Sequence, residues 1–260
     1  MPHQKSPAVV MYFHANAEDL GMVFSAVAML HKQLQVSVLA VEYPGYGLMK
    51  GDRASEEATY RAAFSALTFL AAEAGVQYSK VILLGRSMGS GPALYLAARL
   101  PVAGVILVNA FRSVRAVAER TTGSALARTI FGDMFCNEVR IEDVVCPVLL
   151  VHGAADVTVP MEHSRALYAR CKAPKLFICP EGMSHNSNMF EKPAYLTKPA
   201  ADFFSILRER GSPPKLPEEV FKPPLKLRNA GGCAAVGGWC RSSCQDPREA
   251  GDLSVLPSES

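Results

Sequence analysis

The feature that most constrains this chain is an alternation of short apolar runs with longer segments of helical spacing. Ala8–Phe13, Val36–Val41, Val81–Gly85, Gly104–Val108, Val148–Val151 and Lys175–Cys179 are short and apolar, as strands buried on both faces of a parallel sheet must be. Between and after them, Glu18–Gln33, Ser55–Ala74, Gly91–Arg99, Glu162–Arg170 and Ala194–Arg210 place apolar residues at helical intervals. Strand, helix, strand repeated in this way predicts a doubly wound α/β sheet with right-handed crossovers. Gly75 and Gly104 mark turns, and Pro44-Gly45-Tyr46-Gly47 forms the loop leaving the second strand. No internal repeat is present.

Two stretches depart from the alternation. About forty residues separate the run ending at Val108 from the one starting at Val148, more than an ordinary connection needs. Val114–Glu119 and Ala125–Phe131 within it have helical patterning, so 112–143 is expected to form a small cap over the site. After Arg210 come Pro213-Pro214, Pro217, Pro223-Pro224, Gly231-Gly232 and Gly237-Gly238. Such sequence buries too little apolar surface to offset its ordering entropy. The expected organisation is a folded domain over 1–210 and a disordered tail over 211–260.

Composition narrows the functional classes. Of 260 residues, 49% are hydrophobic and 20% charged, a balance that supports one sizeable core. The net charge of +3 comes with no long Lys/Arg run, which argues against nucleic acid as a partner. The apolar run after Met1-Pro2-His3-Gln4-Lys5-Ser6-Pro7 is too short for a membrane span and has no small-residue cleavage site, so no signal peptide is expected. Seven cysteines at irregular spacing then read as reduced thiols of a cytosolic protein.

Gly85-Arg86-Ser87-Met88-Gly89 carries the chemistry. In a G-x-S-x-G turn the serine sits between a strand and a helix, and the glycines let the backbone crowd together. Val81-Ile82-Leu83-Leu84 supplies the strand and Gly91–Ala98 the helix. A serine hydroxyl needs a base to take its proton and an acid to fix the base's tautomer. In chain order these should follow as acid and then histidine, each on a loop after a later strand. Asp156 lies just past Val148–Val151, and His185 lies past Lys175–Cys179. His152 reads as a packed residue, His163 as solvated, and His3 and His31 have no supporting context. Glu181 and Asp133 are weaker rivals for the acid. Acyl transfer also needs N–H donors for the oxyanion. The expected donors are the N–H of Met88 and, from the loop after the first strand, that of Asn16, with Ala15 and Ala17 as alternatives. His14 is read as bracing that loop.

Phe13-His14-Ala15-Asn16-Ala17-Glu18-Asp19-Leu20-Gly21 resembles the F-H-G-N-A-x-D-L-G oxyanion loop of one α/β-hydrolase branch, the domain-17 type protein depalmitoylases and their relatives. Glu42–Gly47, Gly85–Ala93, Val151–Asp156 and Glu181–Asn186 are similar to further blocks of that family, over roughly residues 7–208. The resemblance implies the α/β-hydrolase fold, a Ser87–Asp156–His185 triad with Asn16 and Met88 at the oxyanion hole, and no cofactor or metal. It implies hydrolysis of ester or thioester bonds, with S-acylated protein as the attractive substrate. Ala15 stands where the family has Gly. The chain is expected to start at the family's third strand and to have no counterpart of the depalmitoylases' cysteine-rich N-terminus. Cys233, Cys240 and Cys244, following Lys222, Lys226 and Arg228, offer sites for reversible acylation and so for peripheral membrane association; an inert tail is the other reading. Competing functions are a serine peptidase of related fold and a hydrolase-fold receptor or scaffold with little turnover.

Overall fold

A computed structural model describes residues 7–123, 132–209 and 211. The six apolar runs form β1 (Val9–Phe13), β2 (Ser37–Val41), β3 (Val81–Arg86), β4 (Gly104–Val108), β5 (Val148–Val151) and β6 (Lys175–Ile178). All pair in parallel in one sheet of order β2-β1-β3-β4-β5-β6. Successive strand residues point to opposite faces, so Val9, Met11 and Phe13 join one core while Val10 and Tyr12 join the other. Burial on both faces holds for β1, β3, β4 and β5. It does not hold for β2 and β6, which are half-buried because each is an edge strand with a neighbour on one side only.

Helices cover both faces, as two separate cores require. They are α1 (Leu20–Leu34), α2 (Glu56–Ala72), α3 (Ser90–Ala97), α4 (Val114–Thr122), α5 (Asn137–Arg140), α6 (Met161–Arg170) and α7 (Thr197–Phe203). Val23, Leu30 and Leu34 of α1 pack with Ala200 of α7 on one face. Leu67 of α2, Leu94 of α3 and Leu167 of α6 pack on the other. Side-chain caps set three helix starts: Asp19, Ser55 and Ser113 accept the N–H of Met22, Ala58 and Ala116 at 2.9, 3.1 and 3.2 Å. Asp19 therefore starts α1 two residues after the expected Glu18. The last helix is shorter than Ala194–Arg210. It stops at Phe203, where Phe204 turns extended and its buried ring fills the space that Gly104 leaves beside β4. A tertiary contact here overrides helical propensity.

The order of strands positions the site. The chain leaves β1 for β2 on one side and returns to β3 on the other, so the crevice at the carboxyl ends of β1 and β3 is the sheet's switch point, where open α/β sheets bind ligands. The cap helix expected over Ala125–Phe131 and, apart from Gly211, the tail expected over 211–260 lie outside the described residues.

Candidate active site

Ser87 follows β3 directly, in a short 3-10 turn over Ser87–Gly89 that leads into α3. Its φ is +49°, a left-handed conformation that costs a non-glycine residue about 1–2 kcal/mol. The flanking glycines make the turn sterically feasible. A Cβ on Gly85 would run into the backbone of Gly89, and a Cβ on Gly89 would run into the carbonyl of Phe13 at the end of β1.

Three strand ends meet at this turn. His185 Nε2 lies 3.0 Å from Ser87 Oγ, and His185 Nδ1 lies 2.7 Å from Asp156 Oδ2. With the Nδ1 proton directed at the carboxylate, Nε2 is free to accept from the serine. Asp156 is fixed in turn, since its Oδ1 accepts the N–H of Thr158 at 2.9 Å and of Val159 at 2.8 Å. Burial alone would raise the Asp156 carboxyl, but the hydrogen bonds from His185 and Val159 outweigh it and hold it below its ordinary range.

A second Ser-His-Asp set shares the same carboxylate. His152 Nδ1 lies 2.7 Å from Ser164 Oγ, and His152 Nε2 is 3.5 Å from Asp156 Oδ2. Its geometry serves structure instead. Nε2 donates to the carbonyl of Val159 at 2.8 Å, and both Ser164 and His152 are fully buried away from the cavity. Burial lowers the His152 pKa, so the ring stays neutral and locked in the core.

A cavity of about 1050 Å³ opens onto Ser87 and His185. Its apolar wall is built by Phe111, Val114, Val117, Met134 and Phe135, from the loop after β4, from α4 and from the residues just before α5. Asn16 and Met88 line it beside the serine. The Met88 N–H belongs to the first turn after the strand, where helix donors have no intrahelical partner. The Asn16 N–H has no acceptor among the described residues, whereas that of Ala15 donates to Glu18 Oε2 at 2.9 Å. Ala15 is thereby removed as an oxyanion donor. Ala17 adopts φ +60°, which bends the loop around Asn16.

The chain is similar to known proteins in sequence and in fold. A model of the Alpha/beta hydrolase family matches residues 19–135. Alpha/beta hydrolase domain-containing protein 17B of Xenopus laevis is 33% identical over 177 residues, covering 68% of this chain and 60% of that protein. The human 17B protein is 32% identical over the same shares of each chain. Among solved structures, the monoacylglycerol lipase of Paleococcus ferrophilus matches with a TM-score of 0.56 at 19% identity, covering 79% of this chain and 96% of that one. The chain has the α/β-hydrolase fold and is similar to the domain-17 proteins. It spans about 60% of the length of the curated relatives it matches.

Several residues that hold the site of this α/β-hydrolase carry no motif that would announce them. Arg86 pairs with Glu18 and donates from Nη2 to the carbonyl of His185 at 2.9 Å. Asn109, at the end of β4 with φ +49°, reaches the same carbonyl at 3.3 Å and accepts the N–H of Gly153 at 3.0 Å. His14 is the loop brace expected: one ring nitrogen meets the Ala15 carbonyl and the other Glu42, both at 2.9 Å. Tyr46 donates to Asn16 Oδ1 at 2.6 Å. His163 is not solvated; it is buried, and its Nδ1 accepts the N–H of Arg112 at 3.3 Å. His31 Nδ1 lies 2.6 Å from the Val36 carbonyl. Of the rivals for the acid, Asp133 pairs with Arg115 at 3.7 Å and Glu181 is exposed, and neither is bonded to His185. Among the described residues, no group of three or more metal-ligating side chains exists and no helix is long and apolar enough to cross a membrane.

Proposed function

We propose that this chain is a serine hydrolase that cleaves carboxylic ester or thioester bonds through an acyl-enzyme. Ser87 is the nucleophile, His185 the general base, Asp156 its orienting acid, and the N–H groups of Asn16 and Met88 the oxyanion donors. The observation that carries this reading is the relay from Asp156 Oδ2 through His185 to Ser87 Oγ, at 2.7 and 3.0 Å, on the wall of a largely apolar cavity.

In the first half-reaction His185 Nε2 takes the Ser87 proton while Oγ bonds to the acyl carbon. The tetrahedral oxyanion is held by the two N–H groups, and the imidazolium returns its proton to the departing alkoxide or thiolate. Water, deprotonated by the same histidine, then releases the acid and regenerates Ser87. The apolar wall from Phe111 to Phe135 suits an acyl chain. Similarity to the domain-17 proteins makes an S-acylated protein in the cytoplasm, met at a membrane surface, the substrate class of choice.

The test is fluorophosphonate labelling followed by turnover of S-acyl peptide and p-nitrophenyl esters, wild type beside Ser87→Ala. Labelling and turnover should both vanish in the variant. Labelling at another residue, or turnover that survives in Ser87→Ala, would refute the assignment.

A further inference from the structure

Arg86 occupies the variable position before the nucleophile, where the strand-turn-helix motif makes no demand on side-chain type. Its side chain does not line the cavity, yet it is mostly buried and its guanidinium is held on two sides. On one side it pairs with Glu18 Oε1, and the other oxygen of that carboxylate accepts the Ala15 N–H at 2.9 Å. On the other side Nη2 donates to the backbone carbonyl of His185 at 2.9 Å. One planar cation therefore links the loop that presents Asn16 to the loop that presents the base, from the residue bonded to Ser87 itself.

We infer that Arg86 is a positioning residue that sets the spacing between the oxyanion loop and the general base through its grip on Glu18 and on the His185 carbonyl. The inference rests on the reading of Ser87 and His185 given above. Its physical basis is that the two loops have no shared secondary structure: one follows β1 and the other β6, four strands away in the sheet order β2-β1-β3-β4-β5-β6. A hydrogen-bonded fork is suited to this task, because two donors in one rigid plane fix a distance that a flexible ammonium cannot. Asn109 holds the same His185 carbonyl at 3.3 Å from the end of β4. Loss of Arg86 should therefore shift the base loop without releasing it. The expected consequence is poorer alignment of Nε2 with Oγ and of the Asn16 N–H with the developing oxyanion, which acts on the chemical step and leaves binding in the apolar cavity unaffected.

The experiment compares wild type, Arg86→Met, Arg86→Lys, Glu18→Gln and Arg86→Met/Glu18→Gln in the full chain. It measures kcat and KM on a p-nitrophenyl ester, the rate of fluorophosphonate labelling, and thermal unfolding. Arg86→Met should lower kcat by about 100-fold, the scale of a misplacement near 1 Å, with KM unchanged and labelling slowed in parallel. Arg86→Lys should recover part of the loss. The double variant should be no worse than Arg86→Met alone, since both changes break one link. Unchanged kcat in folded Arg86→Met, a loss carried by KM, or losses that multiply in the double variant would overturn the inference. If Arg86→Met fails to fold, Arg86→Lys and Glu18→Gln decide it by the same split of kcat from KM. Ser87→Ala run alongside separates the two readings. Activity surviving there overturns the site assignment and this inference together, whereas a dead Ser87→Ala with a fully active Arg86→Met overturns this inference alone.

Discussion

Replacing Asp156 by asparagine should separate catalysis from stability, and the structure gives both magnitudes. The carboxylate uses Oδ1 to accept the N–H of Thr158 and Val159 and Oδ2 to meet His185 Nδ1. An asparagine can keep its carbonyl oxygen on the two backbone donors, so the loop retains its fold. Its amide nitrogen then faces His185 Nδ1 as a donor, which forces the imidazole proton onto Nε2. That nitrogen lies 3.0 Å from Ser87 Oγ and would no longer be able to accept. Holding a base in the wrong tautomer costs about 10⁴ in turnover, or about 5 kcal/mol of transition-state stabilisation. Asp156→Ala should be as inactive and also less stable than Asp156→Asn by about 1–3 kcal/mol, because the buried Val159 N–H loses its acceptor. The assays are hydrolysis of a p-nitrophenyl ester and urea unfolding at pH 7, where the lowered Asp156 pKa keeps the wild-type carboxyl ionised. Turnover of folded Asp156→Asn within a factor of about ten of wild type would refute the tautomer argument.

Burial lowers the pKa of both His152 and His163, so the unfolded chain takes up their protons first. Their contribution should be intact above an ordinary histidine pKa of about 6.5, and stability should fall below it by up to about 1.4 kcal/mol per pH unit for each. Urea midpoints across pH 5 to 8 would show this slope, and His163→Gln should reduce it; a flat profile would contradict it. Gly89→Ala places a methyl group against the carbonyl of Phe13, where backbone and not a movable side chain must yield. The variant should lose fluorophosphonate labelling along with several kcal/mol of stability on the scale of core overpacking, about 1–3 or more, and a stable, labelled variant would show that the turn can relax. Wild type and the Cys233→Ser/Cys240→Ser/Cys244→Ser variant expressed in cells should differ in membrane-bound fraction and in acyl-exchange signal, and equal distribution would remove the anchoring role of these cysteines.

The sheet was legible because its central strands are apolar on both faces, and the turn at Ser87 because Gly85 and Gly89 mark a close approach of backbone. Asp156 and His185 could be singled out because each follows an apolar run, which fixes position along the chain without any view of contacts. Edge burial was not legible: β2 and β6 carry one polar residue each, Ser37 and Lys175, in otherwise apolar runs, and only the sheet order reveals that one side of each has no partner strand. His163 was misjudged for a related reason. It opens a helix whose buried face is set by packing against the β4 loop through Arg112, a contact between residues far apart in sequence. Arg86, Glu18 and Asn109 were invisible because a pair meeting across the fold leaves no local pattern in either segment.

The backbone carries a further regularity that residue types conceal. Five described non-glycine residues have positive φ: Ala17, Gln35, Ser87, Asn109 and Phe135. Gln35 ends α1, as a left-handed cap commonly does. The other four all belong to the site: Ala17, Ser87 and Phe135 line the cavity, and Asn109 holds the His185 carbonyl. Glycine would relieve each, yet three of these positions use their side chains: the Ser87 hydroxyl meets His185, the Asn109 amide holds the His185 carbonyl, and the Phe135 ring packs on Tyr60. At about 1–3 kcal/mol apiece, such conformations persist only where surrounding structure over-determines them. Here the strain of Ser87 and Asn109 sits at the ends of β3 and β4, whose residues are buried on both faces of the sheet. Fully buried strands thus hold the least comfortable backbone at their ends, and one of those residues carries the Oγ that lies 3.0 Å from His185 Nε2.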